Sequence, residues 1–172
     1  HSSFTSENFN TAQKLAYDLR SAWVEDRSVF ICGNGGSAAN AIHMANDFHY
    51  GIGACGRGRI VSGLRVEALP ANPGIITCLA NDTGYENIYS QQLQVRAKPS
   101  DILIALSGSG NSANIIKALE KAHELKMQSY AIVAFDGGKS KKIADSTIHI
   151  SIDDMQIAED TQLIVGHLCM KW

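Results

Sequence analysis

The sequence predicts an α/β fold, a parallel sheet covered by helices on both faces. Three observations predict it. Short apolar runs alternate with stretches of helical periodicity along the chain. The clearest run, Asp101–Leu106, is apolar on successive residues, as strands buried on both faces are. Two runs end abruptly in glycine-rich turns that open helices, the start of a βαβ unit.

The elements follow in order. His1-Ser2-Ser3 reads as the remnant of an expression tag and is set aside. Ala12, Leu15, Leu19 and Ala22 fall at helical spacing between Phe9 and Val24. Ser28–Cys32 is a strand that stops at Gly33-Asn34-Gly35-Gly36-Ser37, and a helix runs from Ala38 to about Tyr50. Gly51–Gly63, rich in glycine around Arg57 and Arg59, reads as a mobile loop. Leu64–Leu69 is a second strand, and Pro73–Leu79 and Glu86–Arg96 are helices. Asp101–Leu106 runs into Ser107-Gly108-Ser109-Gly110-Asn111-Ser112, then an amphipathic helix to about Lys126. Ser129–Ala134 is a strand closed by Asp136-Gly137-Gly138. A short helix at Lys139–Ala144, a strand at Thr147–Ile150 and a helix at Met155–Met170 complete the chain. No linker or composition break divides it, so residues 1–172 read as one domain with an N-terminal helix.

Composition excludes several classes. The formal net charge is −2, which argues against a dedicated nucleic-acid binder. No apolar run approaches the roughly 18 residues of a membrane span. Cys32, Cys55, Cys78 and Cys169 are scattered without a CxxC pair, so free thiols in a reducing cytoplasm are expected and a cysteine zinc site is not.

The glycine loops carry the chemistry. A Gly/Ser turn entering a helix presents backbone N–H groups at the positive end of the helix dipole, a site for phosphate. Ser107, Ser109 and Ser112 add hydroxyl donors there, Gly108 and Gly110 allow close approach, and Asn111 tolerates a left-handed backbone. The bland alternative is a capped helix start with Ser112 as N-cap. The loop has no lysine and fits neither GxxxxGK[ST] nor GxGxxG, so no nucleotide is expected. In the first loop Asn34 and Ser37 are the polar candidates; alone, that loop could be only a tight turn. Together the two loops suit a sugar phosphate lying across two strand ends.

On these residues, with Leu79-Ala80-Asn81-Asp82, the chain resembles the sugar isomerase (SIS) domain family, in its phosphoheptose isomerase branch. The resemblance runs from about residue 10 to the C-terminus. It implies a flavodoxin-like SIS fold, a three-layer α/β/α sandwich with a five-stranded parallel sheet, and a homotetramer. It implies interconversion of sedoheptulose 7-phosphate and D-glycero-D-manno-heptose 7-phosphate, towards heptose for lipopolysaccharide or other glycans. Ser107, Ser109 and Ser112 resemble the phosphate-binding serines, with Gly108 where the family usually has Thr. Asn34, Ser37 and Asp82 match substrate contacts. His43, Asp47, Glu159 and His167 match a zinc ligand set, Asp47 standing for a usual Glu and Glu159 for a usual Gln. Asp47 and His167 take the roles of base and acid.

Spacing bears on the last set without the family. His43 and Asp47, at i,i+4, share a helix face, and Glu159 and His167 are eight apart on another helix. Two His and two carboxylates are zinc ligand types, although an i,i+4 His/Asp pair is also an ordinary surface hydrogen bond. His49, His123 and His149 receive no role, and Lys139–Lys142 reads as a solvated face. The competing reading is a non-catalytic SIS protein: a phosphosugar-sensing regulator, or an adaptor that binds a replication initiator. Such a module has no need of an Asp47/His167 pair.

Overall fold

The computed structural model describes residues 4–51 and 61–171. Five strands, β1 (Ser28–Cys32), β2 (Arg65–Ala68), β3 (Ile102–Ser107), β4 (Gln128–Val133) and β5 (Ser146–His149), form one sheet in the order β2-β1-β3-β4-β5. Every pairing is parallel. This is the flavodoxin-like order, whose switch point lies between β1 and β3. The helices are α1 (Ser6–Val24), α2 (Gly36–Asn46), α3 (Pro73–Thr83), α4 (Ser90–Arg96), α5 (Ala113–Glu124), α6 (Ser140–Ile143) and α7 (Met155–Met170).

The strands alternate their side chains between two cores, as the pleat requires. Val29, Ile31, Ile102, Ile104 and Ile132 pack with Leu15, Leu19, Met44 and Val165 of α1, α2 and α7. Phe30, Cys32, Leu103 and Ala105 pack on the other face with Leu93, Ile115 and Leu119 of α4 and α5. All six residues of β3 are buried, which is why it lacks a polar alternation in the sequence.

Local chemistry sets the boundaries. Thr5 caps α1 by accepting from Asn8 N, Asn72 caps α3 ahead of Pro73, and Asp154 caps α7 by accepting from Ile157 N. Asn8 does a second job. Its side-chain oxygen accepts from His149 N at 3.0 Å and its Nδ2 donates to His149 O at 2.8 Å. A buried amide thus stands in for a neighbouring strand at the β5 edge.

The expected elements all form, with ends shifted by a few residues. The helix expected from Ala38 to Tyr50 begins earlier, at Gly36, and passes at Asp47–Gly51 into a π-helical turn. The left-handed residue of the serine loop is Gly110 (φ 65°), so Asn111 is not needed for it. Cys55, Arg57 and Arg59, in the expected mobile loop, and the expected tag residues lie outside the described residues.

Candidate active site

The loops after β1 and β3 diverge at the switch point and enclose a cavity of about 280 Å³. It is lined by Asn34, Gly35, Gly36 and Ser37 from one side and Ser107, Gly108, Ser109 and Ser112 from the other, with Met155 and Glu159 of α7 over it.

The serine loop is held in shape by its own hydroxyls. Ser107 Oγ accepts from Gly110 N at 3.1 Å, and Ser109 Oγ from Asn111 N at 3.3 Å. Each hydroxyl keeps its proton to donate to an anion. Ser112 stands at the N-cap of α5 but its side chain makes no cap bond, so the capped-start reading does not account for its hydroxyl. Support comes from the third loop. Ser140 Oγ donates to Gly110 O at 2.8 Å, and Asn111 Oδ1 accepts from Lys139 N at 3.1 Å. Gly108 has a reason of its own: a Cβ there would lie 2.4 Å from Met155 Sδ. Methionine fills the space beside this position.

Asn34 is locked rather than loose. Its amide exchanges two 2.8 Å hydrogen bonds with the Asn114 amide, and its Oδ1 also accepts from Tyr85 OH at 3.2 Å. Tyr89 OH donates to Gly33 O; burial pushes this phenol above its ordinary range. Ser37 is buried, and its Oγ accepts from Gln162 Nε2 at 3.1 Å. Gln162 Oε1 accepts in turn from Asn40 Nδ2 at 3.0 Å.

His43, Asp47 and His167 meet at the end of α2, beside α7. The two Nε2 atoms are 3.2 Å apart, and each is 3.2 Å from Asp47 Oδ2. Tetrahedral zinc with bonds of about 2.0–2.2 Å separates its ligands by roughly 3.3–3.5 Å, so this triangle fits one face of such a site. Glu159 does not join it. Its carboxylate lies against Gly36, where a Cβ would sit 2.2 Å from Oε2. The structure therefore differs from the expected four-residue metal set: three ligands converge and the fourth candidate faces the serine cavity.

Two further expectations also divide. The His/Asp triangle does not line the serine cavity. Asp82 is exposed on α3, where its carboxylate accepts from Asn81 Nδ2 at 2.7 Å and faces Cys78 Sγ at 3.6 Å. In one chain it stands apart from the cavity lining. Asn114, Tyr89, Gln162, Ser140 and Met155 were missed. Asn114 was the one with a signal, an amide in the first turn of an amphipathic helix, directly after the serine loop.

A parallel sheet in flavodoxin order, with two Gly/Ser loops meeting at the switch point around a serine-lined cavity, is the architecture of an SIS domain. The SIS domain family model matches residues 2–134, and the chain belongs to this family. Within it the chain falls in the phosphoheptose isomerase branch. It is 33% identical to the phosphoheptose isomerase of Helicobacter pylori over 164 residues, spanning 94% of this chain and 82% of the relative. The phosphoheptose isomerase of Neisseria gonorrhoeae superposes with a TM-score of 0.85 at 27% identity, covering 94% of this chain and 84% of that one. The Francisella tularensis phosphoheptose isomerase, at 23% identity and a TM-score of 0.86 over the same shares, shows the same fold.

Proposed function

We propose that this chain is an aldose–ketose isomerase that interconverts sedoheptulose 7-phosphate and D-glycero-D-manno-heptose 7-phosphate through an enediol. One observation carries the reading: the serine cavity at the β1/β3 switch point, in a chain whose curated relatives are phosphoheptose isomerases. Those relatives are enzymes, so the regulator or adaptor reading is not favoured.

The phosphate docks on Ser107, Ser109 and Ser112 at the α5 N-terminus and supplies remote binding energy that orients the sugar. Asn34 and Ser37 contact its hydroxyls, and Asp82 joins from a neighbouring subunit. Isomerisation moves a proton between adjacent carbons, so it needs a base at the C–H bond and an acid at the carbonyl oxygen. Asp47 is the base and His167 the acid. The proton lost from carbon passes to the Asp47 carboxylate while His167 hands a proton to the carbonyl oxygen; Asp47 then returns its proton to the adjacent carbon as His167 takes one back from that enediol's other hydroxyl. In a metal-loaded form His43, Asp47 and His167 would instead hold a zinc ion, which when bound polarises the hydroxyl and carbonyl oxygens.

The working form is a homotetramer with active sites built between subunits. Its support is that, among the described residues, the lining of the serine cavity includes neither the His/Asp triangle nor Asp82. We place the enzyme in the cytoplasm, in keeping with the free thiols of Cys32, Cys78 and Cys169.

Incubation with sedoheptulose 7-phosphate, followed by NMR with and without a chelator, tests the reading. Appearance of the aldose supports it. A protein that leaves the ketose unchanged in both metal-loaded and chelated forms overturns it.

A further inference from the structure

We propose that Glu159 is a specificity-determining residue that admits one anionic group to the serine cavity and excludes a second. The substrates it selects are phosphate monoesters whose remaining atoms are uncharged hydrogen-bond donors. The proposal rests on the sugar-phosphate reading above.

The cavity joins two helix N-termini, α2 opening at Gly36 and α5 opening at Ala113. Each carries unpaired N–H groups and the positive end of a helix dipole, which favour an anion. The protein sets a carboxylate of its own beside one of the two, because Glu159 lies against Gly36. Only the α5 end, with its three serine hydroxyls, is left for an anion of the ligand.

The charge along the cavity changes accordingly. Among the described lining residues Glu159 is the one charged side chain, and the others are hydroxyls, an amide, glycines and two apolar groups. Among the described residues no cation pairs with it. A carboxylate is acceptor-only, so it takes hydrogen bonds from sugar hydroxyls and repels a second phosphate or carboxylate. The backbone of its helical turn is held in place. Asn40 Nδ2 donates to Glu159 O at 2.9 Å and to Gln162 Oε1 at 3.0 Å, and Gln162 holds buried Ser37. Moving this turn of α7 away from an incoming anion breaks those buried bonds, each costly to leave unmade. A glutamine here would keep the shape and lose the charge.

Calorimetric titration with sedoheptulose 7-phosphate and sedoheptulose 1,7-bisphosphate reads the effect directly, in wild type, Glu159→Gln and Asp160→Asn. Asp160 is the exposed neighbour of Glu159 and lies outside the cavity lining, so its variant removes the same charge from the helix without touching the site. Wild type is expected to prefer the monophosphate by about tenfold or more, from like-charge repulsion at short range. Glu159→Gln is expected to cut that preference at least about fivefold while monophosphate affinity changes less than about threefold. Asp160→Asn is expected to leave the ratio in place. Equal binding of both sugars by wild type, a ratio that survives Glu159→Gln, or an equal change in Asp160→Asn overturns the proposal. Failure of the monophosphate to bind wild type overturns the sugar-phosphate reading instead, and the proposal falls with it.

Discussion

Ser109 and Ser112 differ in what they do for the fold, and that difference makes them informative. Ser109 Oγ accepts from Asn111 N, whereas Ser112 Oγ makes no cap bond. Removing a hydroxyl that donates to a charged oxygen costs about 1.5–3 kcal/mol of binding. Ser112→Ala is therefore expected to weaken phosphosugar affinity by that amount in calorimetry, with the melting temperature unchanged. Ser109→Ala is expected to lose similar affinity and a little stability. At the His/Asp triangle, Asp47→Asn keeps the shape and removes the proton acceptor, so kcat is expected to fall by about 10²–10⁴. A substrate deuterated at the transferred position should exchange its label with solvent in wild type and retain it in the variant. The sequence made the candidates at this scale legible, because glycine, serine and histidine at loop ends advertise chemistry. It did not reveal which partners they keep. Asn34 reads as a substrate contact, and nothing in its loop announces that its amide also pairs with Asn114, 80 residues away. Glu159 read as a fourth metal ligand by analogy with a glutamine, yet its carboxylate faces Gly36.

Elements were the easiest scale to read. Every expected strand and helix forms, since buried parallel strands and amphipathic helices leave unmistakable apolar patterns. Contacts between elements carried no such pattern. The serine loop is braced by Ser140 and Lys139 from the next crossover, and Gly110 is the tightest point of that brace. Its φ is 65°, and a Cβ would meet Gly137 O at 2.1 Å. Gly110→Ala is expected to cost at least about 2 kcal/mol in urea denaturation, from backbone strain plus the displaced third loop. Phosphosugar affinity should fall with it. A second cross-element link ties α1 to β4. Asp18 accepts hydrogen bonds from Tyr130 and Gln128 and pairs with Lys14 at 2.9 Å. Burial works against its charge, but the bonds from Tyr130, Lys14 and Gln128 outweigh it and hold the carboxyl below its ordinary value. The folded pKa lies under the unfolded one, so this stability is present above about pH 4 and lost as pH falls through the folded value. Asp18→Asn is expected to be less stable than wild type at neutral pH, with the gap closing below about pH 4. Thermal melts across that range measure it.

At the scale of the whole molecule, the sheet is covered but several helices are not. Ile157 and Ile164 lie seven apart on α7 and are 47% and 55% exposed, and Ile42 of the neighbouring α2 is 46% exposed. This apolar stripe sits beside the His/Asp triangle, where an isolated chain would leave it in water. On the other side α3 packs Ile76 and Leu79 against the core yet buries no residue fully, and it turns Ile75 and Cys78 outward. With Val95 of α4, 83% exposed, its Ile75 and Cys78 line an apolar groove of about 370 Å³. Two separate uncovered faces on one chain are what a closed assembly with two kinds of two-fold interface uses, and a tetramer is the smallest such assembly. The sequence hinted at this only through apolar positions left over once each helix had a core-facing stripe. Light scattering at micromolar concentration is expected to give four chains. Ile164→Asp places a charge in one interface without entering the core, so it is expected to yield smaller species whose melting temperature depends on concentration less than that of wild type. If the active sites are built between subunits, that variant should lose turnover along with assembly while phosphate still binds the serine loop. A monomeric wild type, or a dissociated variant with full activity, would place the whole site within one chain.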